Sequence, residues 1–164
     1  NSKFIPTKNF FKGYRGLSGD LLSIESKNKD ITISAYGTYF LNSEEVNGLE
    51  DIENIKESFK KDNLDYNEFI KKYYNGNLPA KIDPLKFAYN KELFINSNKL
   101  AYNTIGKDFY VLSYIEGNKI HYKKVIFNKD KKYYVIFDAS YLEKDKKIID
   151  SIVNEMVKSF KIIK

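Results

Sequence analysis

Apolar and polar residues alternate in the segment that follows Asp20, which is the pattern of a half-buried strand. A polar stretch at 27–30 interrupts the alternation, and the pattern then resumes. The two apolar sets are Leu22 with Ile24, and Ile31 with Ile33 and Ala35. Two alternating runs around a short polar turn predict a β-hairpin.

Helical spacing replaces the alternation in the middle of the chain. Ile52, Ile55 and Phe59 recur at helical intervals, with acidic residues early and lysines late, and this predicts a helix over 49–61. A second helix is predicted where Asp65 can cap the chain and Glu68 follows three residues later. Asn75-Gly76 is expected to end it. Residues 77–87 contain two of the three prolines and are interpreted as a connecting loop.

From Leu93 onward the pattern indicates strands. Four runs rich in β-branched and aromatic residues are separated by glycine and asparagine turns, and they predict an antiparallel meander. Within it, 119–127 and 132–139 are expected to pair through a turn at 128–131. A closing helix is predicted from an apolar stripe made of Ile148, Ile149, Ile152, Val153, Met156, Val157 and Phe160.

Strands, then helices, then strands and a last helix favour an α+β fold, in which an antiparallel β-sheet is flanked by helices on both faces. Coverage of both faces is expected because Val125, Ile126 and Phe127 are apolar at consecutive strand positions, as are Val135, Ile136 and Phe137. A length of 164 residues suits one domain over 1–164.

Composition narrows the function classes. Cysteine is absent, so disulfides and thiolate chemistry are excluded. The net charge of +6 comes from lysine, with Arg15 as the single arginine, and no basic tract with stacking aromatics stands out. This argues against a nucleic-acid partner. No apolar run is long enough for a membrane helix.

Three stretches of the chain resemble the PsbP-like fold superfamily, which includes the photosystem II extrinsic protein. "GDLLSIESKNKDITISAYG" at 19–37 is similar to an early hairpin of bacterial members, and "AYNTIGKDFYVLSYIEGNKIHYKK" at 101–124 to their central strands. "FDASYLEKDKKIIDSIVNEMVKSFK" is similar to their closing strand, loop and helix. Tyr114 departs from the pattern, because bacterial relatives often have glycine there.

The resemblance implies an antiparallel sheet between helices, often found on exported or lipid-anchored bacterial proteins of unknown role, and it transfers no catalytic residue. The chain begins at Asn1 without an initial Met, which suggests processing or a trimmed sequence. We therefore expect an extracytoplasmic protein, attached to the membrane only through an N-terminal segment absent from this chain.

Candidate catalytic and metal-binding residues are few. His121 is the single histidine, and the sequence pairs it with no acid, so an ordinary strand histidine is the better interpretation. "GLSGD" at 16–20 is not a nucleophile elbow, and the acidic stretches miss the spacing of a calcium loop. No catalytic residue, metal site or cofactor is predicted.

The aromatic residues form the candidate binding surface. Fourteen tyrosines and twelve phenylalanines exceed what one small core needs, and tyrosine suits interfaces because its ring can be buried while its hydroxyl stays hydrated. The predicted partner or ligand patch consists of Tyr36, Tyr39, Phe40, Tyr73 and Tyr74. The alternative is that these rings simply pack against the sheet.

The sequence favours a noncatalytic binding or accessory module of a bacterial envelope protein, with an unknown protein or envelope component as partner. Two alternatives stay open. One is a small hydrolase that uses paired Asp and Glu, which requires two carboxylates in one cleft. The other is a lysine-driven binder of anionic polymers or surfaces, whose affinity would fall with added salt.

Overall fold

The computed structural model describes residues 10–13, 22–26, 28, 30–39, 49–130 and 133–162. The chain divides into two compact units. One comprises Asn1–Tyr39 with Lys99–Lys164, and we call it the sheet unit. The other is Phe40–Asn98, the helical unit. The assignment of 1–164 to one domain stays a prediction.

The sheet unit contains a seven-stranded antiparallel sheet in the order β1-β2-β3-β7-β6-β5-β4. Its strands are β1 Phe10–Gly13, β2 Leu22–Ser26, β3 Thr32–Tyr39, β4 Leu100–Ile105, β5 Phe109–Glu116, β6 Lys119–Asn128 and β7 Tyr133–Leu142. A 3₁₀ turn at Glu143–Asp145 leads from β7 into helix α4, Lys146–Ser159. The predicted α+β class with an antiparallel sheet is confirmed.

The two pairings predicted from alternation are also confirmed. In the early hairpin, Ile24 of β2 lies opposite Ile33 of β3. In the meander, β6 and β7 pair in register along their full lengths, with Lys119 opposite Leu142 and Asn128 opposite Tyr133. The alternation of apolar residues sets these registers, because a shift by one residue would turn the buried side chains to the other face.

Helix α4 packs on one face of the sheet through a narrower stripe than the sequence suggested. The buried cluster beneath it consists of Ile33, Ile120, Phe137, Ala139, Tyr141, Ile149, Val153 and Val157. Ile148 and Ile152 belong to the predicted stripe, yet they are 68% and 41% exposed. Burial needs a partner surface as well as helical spacing. Positions 149, 153 and 157 are buried against the sheet, and Met156 and Phe160 pack against the same cluster while staying partly buried.

On the opposite face of the sheet most buried side chains lie towards the end of β6 and the start of β7. They are Tyr110, Leu112, Val125, Phe127 and Tyr134, and Leu142 is buried at the other end of β7. Both faces therefore carry buried residues, as the bulky alternate positions predict.

The helical unit contains α1 Leu49–Lys61, α2 Tyr66–Tyr74 and α3 Pro84–Ile95. The side chain of Asp65 accepts the backbone N–H of Glu68 at 3.0 Å, and Asn75 ends α2 in the left-handed conformation. The predicted bounds of α1 and the caps of α2 are thus confirmed. The core of this unit is formed by Ile55, Phe59, Phe69, Ile70 and Ile82.

Helix α3 corrects the sequence interpretation of 77–87 as a loop and of Leu93 onward as a strand. Asp83 caps the helix by accepting the N–H of Lys86 at 3.0 Å, and Pro84 takes the first turn. Proline fits there because its missing N–H has no partner to lose. A short apolar run such as "LFI" is compatible with a strand or a helix, and here the Asp83 cap favours the helix.

Candidate functional site

A cleft opens beside α4 on the face of the sheet that this helix covers, and we call it the tyrosine cleft. Its volume is about 340 Å³. Its lining consists of Tyr102, Ser113, Tyr122, Tyr141, Lys146, Asp150, Val153 and Asn154. Four neighbouring strands supply the hydroxyl-bearing side chains, and one helix supplies the charged and amide groups.

Strand register brings the hydroxyl-bearing side chains together. Tyr102 of β4 lies opposite Ser113 of β5, and Ser113 lies opposite Tyr122 of β6. The next position in this row, on β7, is Ala139, whose small side chain is fully buried under α4. Residues opposite one another in adjacent strands point to the same face, so the row runs straight across the sheet.

Tyr141 connects the sheet to the helix. Its hydroxyl donates a hydrogen bond of 2.5 Å to Oδ1 of Asp150, and only 2% of the residue is exposed. Lys146, one turn earlier on α4, donates to the other carboxylate oxygen of Asp150. Burial, followed by the bond to Asp150, raises the pKa of Tyr141 far above its usual value, so the phenol stays protonated.

Tyr122 occupies the centre of the cleft floor and is partly buried. Burial raises its pKa, and the nearby Tyr102 raises it further. Tyr122 in turn contributes to the raised pKa of Tyr141. The three phenols are therefore electrostatic neighbours, and Tyr102 is the outermost, with 52% of its surface exposed. The cleft has a buried inner end and an open aromatic rim.

His121 lies on the opposite face of the sheet from this cleft. Its ring stacks on the ring of Tyr114, with centroids 4.8 Å apart and an angle of 5° between the planes. Desolvation lowers the pKa of His121, against the pull of Asp138 and Glu116. A neutral imidazole that stacks on a tyrosine of the neighbouring strand has the surroundings of a structural histidine. That His121 has no catalytic role stays a prediction.

The predicted aromatic patch is distributed over both units. Tyr36 lies on β3 in the sheet unit and is partly buried, whereas the side chain of Tyr39 and all of Phe40 lie outside the described residues. Tyr73 and Tyr74 lie at the end of α2 and both contact Phe69, with ring centroids 5.2 and 5.7 Å away. The structure thus brings these two together, in a packed cluster, and the patch as a whole stays a prediction.

A second cavity of about 760 Å³ lies at the turn between β6 and β7. Lysines line it at 107, 129 and 161, and Asp108 and Asp130 stand among them. Opposite charges in one cavity weaken the positive electrostatic potential that would attract a polyanion. This cavity gives the lysine-driven alternative little support.

Among the residues that the structure describes, no group of three or more His, Cys, Asp or Glu is placed to hold a metal ion. None of the described helices is both long enough and apolar enough to cross a membrane.

Sequence reasoning did not identify the tyrosine cleft. Tyr102, Tyr122 and Tyr141 each stand in a predicted strand, and their alternation with other residues was visible. Which of them share a face depends on the pairing register of four strands, and Asp150 joins them only because α4 crosses that face. For Tyr122 and Tyr141 the usable signal was that a tyrosine ring can be buried while its hydroxyl stays hydrated.

No protein-family model matches the chain, and no curated protein matches it. Among solved structures, the chain is similar to the solution structure of cyanobacterial PsbP from Synechocystis sp. PCC 6803. The two chains share 12% identity with a TM-score of 0.48, over 95% of this chain and 83% of that one.

Proposed function

We propose that this chain is a noncatalytic binding or accessory module of a bacterial envelope, that it acts outside the cytoplasm, and that its ligand enters the tyrosine cleft. The cleft itself carries the proposal. Its volume of about 340 Å³ suits a small ligand or one segment of a larger one, because ligand sites commonly measure about 300–1,000 Å³.

The regular backbone of the lining and the hydrogen bonds at its inner end support binding. Tyr102, Ser113 and Tyr122 lie within strands, and Asp150 is held from two sides by Tyr141 and Lys146. Side chains fixed before a ligand arrives lose little conformational entropy when it binds.

The charges of the cleft support binding over hydrolysis. Among the described lining residues, Asp150 supplies the one carboxylate, and both of its oxygens already accept hydrogen bonds. A glycosidase-type hydrolase needs two carboxyl groups that flank the scissile bond. The described lining does not assemble that pair, so the hydrolase alternative is the weaker proposal.

The location outside the cytoplasm is supported by the resemblance to exported bacterial members of the PsbP-like superfamily. An antibody against the chain, applied to fractionated source cells, tests it. We expect the protein in the envelope fraction, and recovery in the cytosolic fraction would contradict this part of the proposal.

Binding is tested by NMR on the ¹⁵N-labelled chain with two preparations from source cells: digested cell wall and detergent-extracted membrane. We expect one of them to shift the backbone resonances of Ser113, Tyr122 and Asn154. The variant Tyr122→Phe removes a hydroxyl from the cleft and should weaken the shifts, whereas Tyr114→Phe, on the other face, should not. Shifts confined to other residues, or none from either preparation, would contradict the cleft as the site. Turnover of either preparation that Asp150→Asn abolishes would establish the hydrolase instead.

A further inference from the structure

The lining of the tyrosine cleft specifies a chemical class of ligand, and this inference rests on the proposed function of the cleft. We infer that the cleft binds a short neutral oligosaccharide, with the ring of Tyr102 as a stacking platform at the rim and the hydroxyl, amide and carboxylate groups as hydrogen-bonding partners.

Tyr102 has the position that a stacking platform requires. It lies on β4, the last strand in the order of the sheet, and 52% of its surface is exposed although the ring borders the cavity. An aromatic ring half open to solvent is suited to cover the C–H face of a sugar, because the contact buries apolar area while the sugar hydroxyls stay free to bond.

Polar groups of the right kind follow inward from this ring. The hydroxyls of Ser113 and Tyr122 and the amide of Asn154 line the cavity, and each can both donate and accept. Sugar hydroxyls also donate and accept, so they match such a lining better than a ligand that only donates or only accepts.

The charge of the cleft indicates a neutral ligand. Lys146 and Asp150 are the charged lining residues in the described part, and they form an ion pair with each other. Their charges cancel within the cleft, although the whole chain carries +6. The lining therefore offers a charged ligand no net charge of the opposite sign, whereas a neutral ligand needs none.

The length of the row sets the size of the ligand. Tyr102, Ser113 and Tyr122 stand on three adjacent strands, so the row spans two strand spacings, or about 10 Å. This length corresponds to two linked sugar rings. The buried Tyr141 closes the inner end, where Asp150 holds its hydroxyl.

The test is a titration of the ¹⁵N-labelled chain with a panel of disaccharides: cellobiose, maltose, lactose and N,N′-diacetylchitobiose. A uronic-acid disaccharide and the peptide Ala-Ala-Ala serve as charged and non-sugar probes. We expect at least one neutral disaccharide to shift the resonances of Ser113, Tyr122 and Asn154, with a Kd below about 10 mM.

Substitutions at the platform separate stacking from general disturbance. Tyr102→Ala should weaken binding of that disaccharide about tenfold or more, and Tyr102→Phe, which keeps the ring, should remain within about threefold. Ile105→Ala is the matched control, because Ile105 is exposed on the same strand but pairs with Tyr110 on the other face, and it should bind like the original chain. Circular dichroism of each variant verifies the fold.

The outcomes distinguish this inference from the proposed function. If none of the neutral disaccharides binds by about 10 mM, or if Tyr102→Ala binds as well as the original chain, the inference is wrong. If the peptide or the uronic-acid probe occupies the cleft and the neutral sugars do not, the cleft remains a binding site but its ligand class is different. If cell-wall and membrane preparations also leave the cleft unchanged, the proposed function fails with it.

Discussion

The ammonium group of Lys124 lies 2.9 Å from the carbonyl oxygen of Val157, at the end of helix α4. It also donates to the carbonyl oxygen of Phe160 at 3.0 Å. The last carbonyl groups of a helix have no partner within the helix and carry the negative end of its dipole. A lysine from the middle of β6 thus caps the C-terminal end of the helix that forms one wall of the tyrosine cleft.

Lys124→Met should destabilise the protein. Methionine keeps the apolar stem but removes the charged donor from two carbonyl groups, and that of Val157 keeps only the longer bond from the Phe160 N–H at 3.3 Å. We therefore expect a loss of about 1–3 kcal/mol in the free energy of unfolding. Urea denaturation followed by far-UV circular dichroism measures it. Lys158→Met is the matched control, since Lys158 pairs with Glu155 at an exposed position on α4, and it should cost less than about 0.5 kcal/mol. Equal losses in both variants would contradict the capping role.

Stability should fall as the pH drops below 6.5, in part because of His121. Desolvation lowers the pKa of His121 in the folded protein from its ordinary value of 6.5. As the pH falls, His121 is therefore protonated in the unfolded chain at a higher pH than in the folded protein. Its contribution to the stability of the folded protein is complete above pH 6.5 and decreases as the pH falls towards the folded pKa.

His121→Gln removes the titrating group and should flatten the dependence of the free energy of unfolding on pH between about 7.5 and 5. Chemical denaturation at several pH values gives both curves. Glu116 titrates below this window, because Lys99 lowers its pKa, and it leaves the comparison intact. Parallel curves for the two proteins would show that His121 is not the group responsible.

Gly117→Ala should weaken the β5–β6 hairpin. Gly117 is the first of two loop residues between Glu116 and Lys119, and its φ of +61° lies in the left-handed region that glycine tolerates best. The expected loss is about 1–2 kcal/mol. In Gly37→Ala the new Cβ makes only an ordinary contact, 3.7 Å from the carbonyl oxygen of Tyr134, and it should be neutral or stabilising by up to about 1 kcal/mol. Thermal unfolding of the two variants compares them directly.

Tyr141→Phe should cost about 0.5–1.5 kcal/mol, because it removes a hydrogen bond to the carboxylate of Asp150 at a buried position. Tyr102→Phe, at the exposed rim, should change stability by less than about 0.5 kcal/mol. In a double-mutant cycle, Tyr141→Phe should cost less once Asp150→Ala is present, since the bond is already lost. Additive losses would indicate that the two side chains do not interact.

Sequence patterns predicted the elements whose signals are local. Ile24 and Ile33 alternate with polar residues on either side of a turn, and Asp65 with Glu68 marks a helix start, so the hairpin and α2 needed no tertiary information. Helix α3 was missed because Pro84 read as a loop signal, whereas a proline after the capping residue Asp83 begins a helix.

The candidate site depended on contacts between residues far apart in the chain. Tyr102 and Tyr122 become neighbours through two strand registers, and Asp150 reaches Tyr141 because α4 crosses the sheet at that point. Ile148 and Ile149 also show that a local pattern does not predict burial, since both fit a helical stripe and only Ile149 is buried against the sheet. The sequence by itself determined strands β2 to β7, helices α1, α2 and α4, and the antiparallel class of the sheet, because alternation and capping act within a few residues. Only the tertiary structure decided which faces of the strands and helices pack together, and therefore where the cleft forms. Register and packing are properties of pairs of elements, so a local pattern does not determine them.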